Sequence, residues 1–261
     1  MKLRKRIPSL RLYRKLRYRK GYGIHSPFVY SFITKVVEEK TPFYIFDEIE
    51  ALRKIARHAP HRNYGALLFR IVNFFRCRSV LHIGDFDGIL SLYLAMASPR
   101  HCGCYVWTDR QTVPPAVSHF ALAHPLQNLH WLRGNPEKAL QTVPSPVDLL
   151  FINRLPEGIN VETCIALCRQ LVHAKTILVL NAIAKDPVMK SLWQQCKNHP
   201  QAKAAIDLYA LGIVFFDDNL PKKQYKTYFN YGKKSYLYKN RRRRFHFFSR
   251  RKKGLKNASA H

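Results

Sequence analysis

The chain has 261 residues, and 47% of them are apolar, which excludes an intrinsically disordered chain and is enough for one substantial domain with a full core. No apolar run reaches the roughly 18 residues of a membrane-spanning helix, and no signal-type apolar segment follows the basic start, so we expect a cytoplasmic protein. The net charge of +29 is uneven: residues 1–20 contain ten Lys and Arg, residues 221–261 contain fifteen, and neither segment contains an acid.

The uneven charge divides the chain into four predicted sections. A basic N-terminal arm covers residues 1–20, and a helical section covers residues 21–78. An α/β domain follows over residues 79–220. The last section, residues 221–261, is a basic tail rich in Tyr and Phe that we expect to be loosely ordered.

The helical section begins with a capping signal. Ser26 followed by Pro27 is typical of a helix N-cap and first turn. Phe28, Phe32 and Val36 then give this helix an apolar face. Two further helices are predicted from Phe46 to His58 and from Asn63 to Phe75.

Strand and helix patterns alternate through the α/β domain. The predicted strands are Ser79–Ile83, Cys104–Thr108, Leu129–Arg133, Val147–Ile152 and Thr176–Leu180. The predicted helices are Ile89–Ala97, Pro114–Ala123, Pro136–Gln141, Val161–His173 and Pro187–Asn198. Continuous apolar runs such as VDLLFI and TILVL are typical of parallel strands covered by helices on both faces. Two last runs, Ala204–Tyr209 and Ile213–Phe216, predict an antiparallel hairpin at the sheet edge.

The turn after the first strand carries the clearest chemical signal. Gly84 permits a tight turn, and Gly88 lets the next helix pack closely or lets a ligand approach the backbone. Asp109 ends the second strand, where its two carboxylate oxygens can accept hydrogen bonds from two ribose hydroxyls. Asp85 and Asp87 in the turn would repel a pyrophosphate, so the pattern favours a nucleoside-type ligand. A structural turn and a solvated acid are the alternative interpretations.

Several longer segments together resemble one known family, the class I S-adenosylmethionine-dependent methyltransferases, in a bacterial branch with a helical N-terminal section. The resemblance covers roughly residues 20–229 and rests on GYGIHSPFVYSFI, YGALLFRIVNFF, SVLHIGDFDGILSLYLA, VDLLFIN and AIDLYALGIVFF. It implies a Rossmann-like α/β fold whose mostly parallel seven-stranded sheet has a C-terminal antiparallel hairpin and N-terminal helices. It also implies methyl transfer from S-adenosylmethionine, with the acceptor and the general base unidentified.

The resemblance places the cofactor at the glycine turn. It implies that Gly84, Asp85 and Gly88 wrap the methionine and ribose part, and that Asp109 binds the ribose hydroxyls. His82 stands where the family has an acid that holds the cofactor's amino group. A neutral imidazole can accept one hydrogen bond but supplies no negative charge. We interpret His82 as a tolerated replacement rather than as a catalytic base.

Two asparagines complete the predicted cofactor site. Asn135 follows the third strand, where its amide can bond the adenine edge or cap the helix that begins at Pro136. Asn153 ends the fourth strand and Asn181 follows the fifth, at positions where relatives have acids. Amides are weak ligands for a divalent cation, so we expect no metal. Arg154 adds a positive charge that would help bind an anionic substrate or exclude the cationic cofactor.

The two basic ends admit three interpretations. Residues 1–20 and 222–256 would bind nucleic acid or another polyanion by neutralising phosphates, with interleaved aromatic rings stacking on bases. A membrane surface attracts the same charges and is the less favoured partner. A solvated tail without a specific partner is the third interpretation. Because acids are replaced in the site, the alternative to an enzyme is a catalytically degenerate protein of this fold that binds RNA or a ribonucleoprotein.

Overall fold

The computed structural model of the protein describes residues 13–14, 17–18, 23–56, 59–98 and 100–229. Most of the predicted basic arm and most of the predicted basic tail lie outside these residues. The described part of the chain forms one sheet with helices on both of its faces.

The helices and strands follow the chain in the predicted order. The helices are α1 (Pro27–Phe32), α2 (Tyr44–Ala51), α3 (Arg62–Phe75), α4 (Ile89–Ala97), α5 (Pro115–Ala121), α6 (Pro136–Gln141), α7 (Val161–Arg169) and α8 (Pro187–Asn198). The strands are β1 (Ser79–Ile83), β2 (Gly103–Trp107), β3 (Leu129–Leu132), β4 (Leu149–Ile152), β5 (Ile177–Leu180), β6 (Ala204–Asp207), β7 (Gly212–Phe215) and β8 (Lys223–Lys226). A π-helical turn, Ile33–Val37, continues α1, and a 3₁₀ turn, Leu52–Lys54, continues α2.

The strand order across the sheet is β3-β2-β1-β4-β5-β7-β6-β8. Strands β1 to β5 are parallel to one another, and β7 is antiparallel to both of its neighbours. The pair β6 and β7 is the predicted antiparallel hairpin, with Ile206 opposite Ile213. The mostly parallel Rossmann-like α/β architecture is therefore confirmed.

The sheet has eight strands rather than the seven predicted. Strand β8 pairs in parallel with β6, and it lies in the segment that the charge pattern assigned to a loosely ordered tail. Tyr225, Thr227 and Phe229 are all buried and alternate with more exposed residues, which is the period of a half-buried strand. The fold thus continues to Phe229, and the exposed side chains of Lys222, Lys223 and Lys226 concealed this pattern.

Two apolar cores hold the helices on the sheet. Helices α1 to α5 contribute to the core on the first face, together with alternate strand residues such as Val80 and Leu149. Helices α6 to α8 cover the second face, where Leu81 and Leu150 are buried. No helix among the described residues is long and apolar enough to cross a membrane.

The helical section is part of this core rather than a separate unit. Ser26 caps α1 by accepting a hydrogen bond from the Val29 N–H at 3.4 Å, as the sequence predicts. The rings of Phe28 and Phe32 meet Phe215 of β7 edge-on, with centroid distances of 5.1 and 5.4 Å. These contacts tie the beginning of the described chain to its terminal hairpin.

The described part of the basic arm lies against the last strands. Arg14 forms a bidentate ion pair with Asp207 at the end of β6, at 2.6 and 3.0 Å. The Thr227 hydroxyl, directly after β8, donates a hydrogen bond to the Tyr18 carbonyl at 3.1 Å. The arm and the start of the tail therefore meet at one end of the β6–β8 edge.

Candidate functional site

The parallel strands β1 to β5 all end on one side of the sheet, which we call the carboxyl edge: Ile83, Trp107, Leu132, Ile152 and Leu180. The strand order reverses between β1 and β4, and ligands of open α/β sheets bind outside such a switch point. A cleft of about 480 Å³ opens at this edge. Its walls include Trp107 at the end of β2, Asp109 after β2, Gly134 after β3, and Gly158 and Ile159 in the loop after β4.

Gly84 forms the tight turn that ends β1. Its φ is +79°, and its N–H donates to the Trp107 carbonyl at 2.8 Å. A Cβ at this position would lie 2.2 Å from the Arg154 carbonyl oxygen. The chain after β4 therefore crosses directly over the turn, and only glycine permits this approach.

Gly88 precedes helix α4 with a φ of +81°. A Cβ there would lie 2.1 Å from a methyl carbon of Val117 in α5. The described contacts of Gly88 thus belong to close packing between elements, one of the two roles that the sequence predicts for it.

Asp109 lies at the rim of the cleft and is held by an arginine. Arg154 Nη1 donates to Asp109 Oδ2 at 3.0 Å, and Nη2 donates to Oδ1 at 2.5 Å. Burial opposes ionisation of this carboxyl group, but the hydrogen bonds and charge of Arg154 outweigh it, so the pKa of Asp109 lies below its ordinary value. Asp109 is therefore a carboxylate at neutral pH and is matched by an internal cation.

His82 lies beneath the turn rather than in the cleft. The side chain is completely buried, its Nδ1 lies 2.9 Å from the Ser91 hydroxyl, and its ring stacks on Phe151. Burial, together with the nearby positive charge of Arg154, lowers the pKa of His82 to about 3. A ring that stays neutral at physiological pH fits the interpretation of His82 as a tolerated replacement. Because the ring is completely buried, a substrate cannot reach it to give up a proton.

Asp85 is the buried acid of the turn. It is 2% exposed, and its Oδ2 has no hydrogen-bond partner among the described residues. Burial and the neighbouring charge of Asp87 raise the pKa of Asp85 to about 7. The turn therefore places a carboxyl group, only partly ionised at neutral pH, three residues after His82.

Asn153 and Asn181 form a chain of hydrogen-bonded amides across the ends of β4 and β5. Asn181 Nδ2 donates to Asn153 Oδ1 at 2.7 Å, and Asn153 Nδ2 donates to the Gly84 carbonyl at 3.1 Å. Asn135 instead accepts hydrogen bonds from the first turn of α6, from the N–H groups of Glu137 and Lys138. Asn153 is thus joined to the glycine turn, whereas the described contacts of Asn135 are those of a helix cap.

Comparison with solved structures supports this arrangement of strands and turn. An O-methyltransferase from Bacillus cereus, in complex with SAH, has a TM-score of 0.53 and 15% identity over 71% of this chain and 96% of its own. An SAH-bound methyltransferase from Podospora anserina has a TM-score of 0.55 and 13% identity over 74% and 97%. The O-methyltransferase TomG from Streptomyces achromogenes, in complex with SAM, has a TM-score of 0.53 and 15% identity over 71% and 94%.

The chain has the class I methyltransferase fold. No protein-family model and no curated protein sequence matches it, so the likeness is one of structure at low identity. The solved proteins are covered almost over their full length, which means that this chain contains the whole methyltransferase fold and adds residues to it.

Within the methyltransferase fold, the loop after β4 supplies site residues that the sequence pattern did not mark. Pro156, Glu157 and Gly158 line the cleft, and a backbone N–H at Glu157 helps to hold the Asp109 carboxylate. The short run LPEG is a local signal of a turn in this loop. The position of the loop over the cleft, however, depends on packing between residues far apart in the chain. Among the described residues, no group of three or more His, Cys, Asp or Glu could hold a metal ion.

Proposed function

We propose that the protein binds S-adenosylmethionine at the carboxyl edge and is a methyltransferase whose acceptor is unidentified. The observation that carries this proposal is the Asp109 carboxylate at the rim of the open cleft, at the end of β2 and beside the switch point of a methyltransferase fold. The solved neighbours that bind SAM or SAH share that fold.

The residues present fit the adenosine half of this cofactor. Asp109 has two oxygens that can accept hydrogen bonds from the ribose hydroxyls. The cleft beside it has a volume of about 480 Å³, and Trp107 and Ile159 are among the residues that line it. Trp107 is itself fixed, because its indole N–H points to the Gly134 carbonyl at 3.4 Å. A wall that includes Trp107 and Ile159, with the Asp109 carboxylate beside it, suits a neutral base joined to a ribose.

The residues near the other half fit once the Arg154 side chain moves. Gly84 is buried beneath the carbonyl and Cγ of Arg154, and the Arg154 guanidinium pairs with Asp109 at the edge of the turn. His82, Asp85 and Gly88 lie in or beneath the same turn, and Asn153 is bonded to it. We keep all seven predicted residues as cofactor-site candidates, with Asp109 in direct contact, the buried Gly84 as the turn beneath the site and Asn135 as a cap beside the adenine region.

The cofactor, when bound, supplies a methyl group activated by a sulfonium. The contribution of the chain is then to align the acceptor with that methyl group and to exclude water. Two buried or distant histidines are unsuited to act as a general base in this cleft: His82 is buried, and His173 bonds Thr176 before β5, at the other end of the parallel strands. We assign no catalytic residue.

Binding of SAH to the full-length protein, followed by calorimetry and by tryptophan fluorescence, tests this proposal. We expect saturable binding with a fluorescence change that is lost in Trp107→Phe, because Trp107 lines the cleft. Asp109→Ala serves as the control with an impaired site. The absence of binding at millimolar SAH would overturn the proposal.

A second candidate function is RNA binding by a catalytically degenerate methyltransferase fold. The observation that favours it is the meeting of Tyr18 with Thr227 and of Arg14 with Asp207, which brings the basic arm and the basic tail to one edge. Residues 1–20 and 221–261 together carry +25 of the net +29, and neither contains an acid. Phosphate binding by such a concentration of charge is strong and salt-dependent.

Fluorescence anisotropy with a short single-stranded RNA distinguishes the candidates. We expect affinity to fall steeply with salt, and to fall about tenfold or more when Arg241–Arg244 are all replaced by Gln, because four positive charges available to phosphates are removed. Vesicles with and without anionic lipid form a parallel arm of the experiment. Binding to anionic vesicles but not to RNA would make a membrane surface the partner. RNA binding without any SAH binding would favour the degenerate protein over the enzyme.

A further inference from the structure

The guanidinium of Arg154 pairs with the carboxylate to which a ribose would bind. Its two terminal nitrogens donate to the two different oxygens of Asp109, at 3.0 and 2.5 Å. The two hydroxyls of a ribose would approach the same pair of oxygens from the cleft. The Arg154 guanidinium uses one acceptor position on each oxygen, so a ribose that bound at those positions would displace it from Asp109.

Only the outer part of Arg154 is able to move. Its carbonyl oxygen and its Cγ lie 2.2 and 2.8 Å from the position of a Cβ on Gly84, so the backbone and the start of the side chain lie against the turn. The preceding residue, Asn153, is fixed to the Gly84 carbonyl by a hydrogen bond of 3.1 Å. A guanidinium released from Asp109 therefore stays within a side-chain length of the glycine turn.

The existing ion pair leaves Arg154 incompletely bonded. Its Nε is buried and has no hydrogen-bond partner among the described residues. A guanidinium has five donors, and an unpartnered buried donor is unfavourable. His82 of β1 is neutral because burial and the charge of Arg154 lower its pKa to about 3, and an imidazole supplies no negative charge to a guanidinium. An anion that enters at the turn would satisfy Arg154 better than Asp109 alone does.

We propose that Arg154 binds the α-carboxylate of the cofactor, exchanging Asp109 for that carboxylate as the ribose takes Asp109. This inference rests on the proposed function. After the exchange, both side chains still have partners. The ribose hydroxyls of the ligand donate to Asp109, and the α-carboxylate of the ligand accepts from Arg154. Arg154 is then a specificity-determining residue that separates adenosyl amino acids from adenosine derivatives without a carboxylate.

The test compares two ligands that differ in the amino-acid group. SAH carries the α-carboxylate, whereas 5′-methylthioadenosine shares the adenosine and the thioether but has no carboxylate. Arg154→Met keeps the aliphatic stem that lies over Gly84 and removes the charge. In calorimetry with the full-length protein, we expect this variant to bind SAH about tenfold more weakly than the wild type. It should bind 5′-methylthioadenosine equally well or more tightly, because Asp109 is no longer occupied.

Two further variants make the result specific. Arg154→Lys keeps the charge but not the two-pronged geometry, so we expect an intermediate preference for SAH. Arg133→Met removes an exposed arginine after β3, outside the cleft, and should leave the ratio of the two affinities unchanged. Thermal unfolding of each variant verifies that the fold is retained.

The outcomes separate this inference from the function on which it rests. If the wild type binds neither ligand, the proposed function and the inference both fail. If the wild type binds SAH but Arg154→Met weakens both ligands equally, Arg154 has only a structural role and the inference alone is wrong. An unchanged affinity for SAH in Arg154→Met would also contradict it.

Discussion

Two carboxylates at opposite ends of the parallel strands have different kinds of partners. Asp148 lies where β4 begins, and its Oδ2 accepts hydrogen bonds from the backbone N–H groups of Arg78 and Ser79 at 2.6 and 3.1 Å. Asp109 lies where β2 ends, and the side chain of Arg154 holds both of its oxygens. The first acid is bound by the backbone of a neighbouring strand, whereas the second is bound by a side chain that can rotate away.

This difference separates a structural acid from one suited to a ligand. Asp148 accepts hydrogen bonds from two N–H groups at the start of β1, so its described contacts lie within the fold. Asp109 has a partner that a ligand can replace, and it faces a cleft. The same chemical group therefore serves stability at one end of the sheet and exchange at the other.

The largest expected effect on stability comes from disturbing the contact between Gly84 and the backbone of Arg154. Gly84→Ala would place a Cβ 2.2 Å from the Arg154 carbonyl at a φ of +79°, so we expect a loss of about 3 kcal/mol in the free energy of unfolding. Gly134→Ala has a similar φ of +82° but nothing within 4 Å of the new Cβ, and should cost about 1 kcal/mol. Urea unfolding measures both. Equal losses would contradict the close approach of Arg154 to the turn.

The next effect separates the two acids by ligand binding. Asp109→Ala should weaken SAH binding about 100-fold, because two hydrogen bonds to a charged group are lost. Its free energy of unfolding should change by less than about 1 kcal/mol, since the pair with Arg154 is partly exposed. Calorimetry and urea unfolding provide the two measurements. A large loss of stability with unchanged SAH affinity would mean that Asp109 is a structural acid, as Asp148 is.

The reverse result is expected at the other end of the strands. Asp148→Ala should lower the free energy of unfolding by about 2 kcal/mol, because two N–H groups lose their acceptor. SAH affinity should stay within about twofold of the wild type, since the site lies at the carboxyl edge. Asp148→Asn is the matched control, because its amide oxygen still accepts, and it should recover most of the stability.

The smallest effect concerns Asp85, the buried acid of the turn. Its pKa is raised to about 7 in the folded protein, so the wild type loses stability as pH rises from the ordinary range of an Asp through about 7. Asp85→Asn removes this dependence. Between pH 6 and pH 8, its stability relative to the wild type should therefore increase by about 1 kcal/mol. Urea unfolding at the two pH values measures this difference, and a constant difference would mean that Asp85 is ionised at both.

The fold was predictable because its signals are local and consistent. The apolar runs of β4 and β5, the glycine turn and the terminal hairpin each indicate their element independently. Strand β8 was missed because Lys222, Lys223 and Lys226 dominate the composition there, while only Tyr225, Thr227 and Phe229 face inward. A strand whose outer residues are charged shows its period only when every second residue is considered.

The site was only partly predictable, since it depends on which loops meet. The spacing identified Gly84 and Asp109. Nothing in the sequence indicated that the backbone of Arg154 would cross over Gly84 while its side chain pairs with Asp109. The burial of His82 against Phe151 and Ser91 likewise results from packing between β1, β4 and α4. The predicted partners of residues 1–20 and 222–256 remain a proposal.

The aromatic contact between Phe28 and Phe215 also has a consequence for synthesis on the ribosome. The two rings are about 190 residues apart in the chain, yet their centroids are 5.1 Å apart in the fold. At a usual translation speed of 5–20 residues per second, the apolar face of α1, which also contacts Phe75, waits roughly 10–40 s for Phe215 to be made. During that interval the emerging chain exposes phenylalanines next to a strongly basic arm, a state that chaperones or the polyanionic ribosome surface would have to shield.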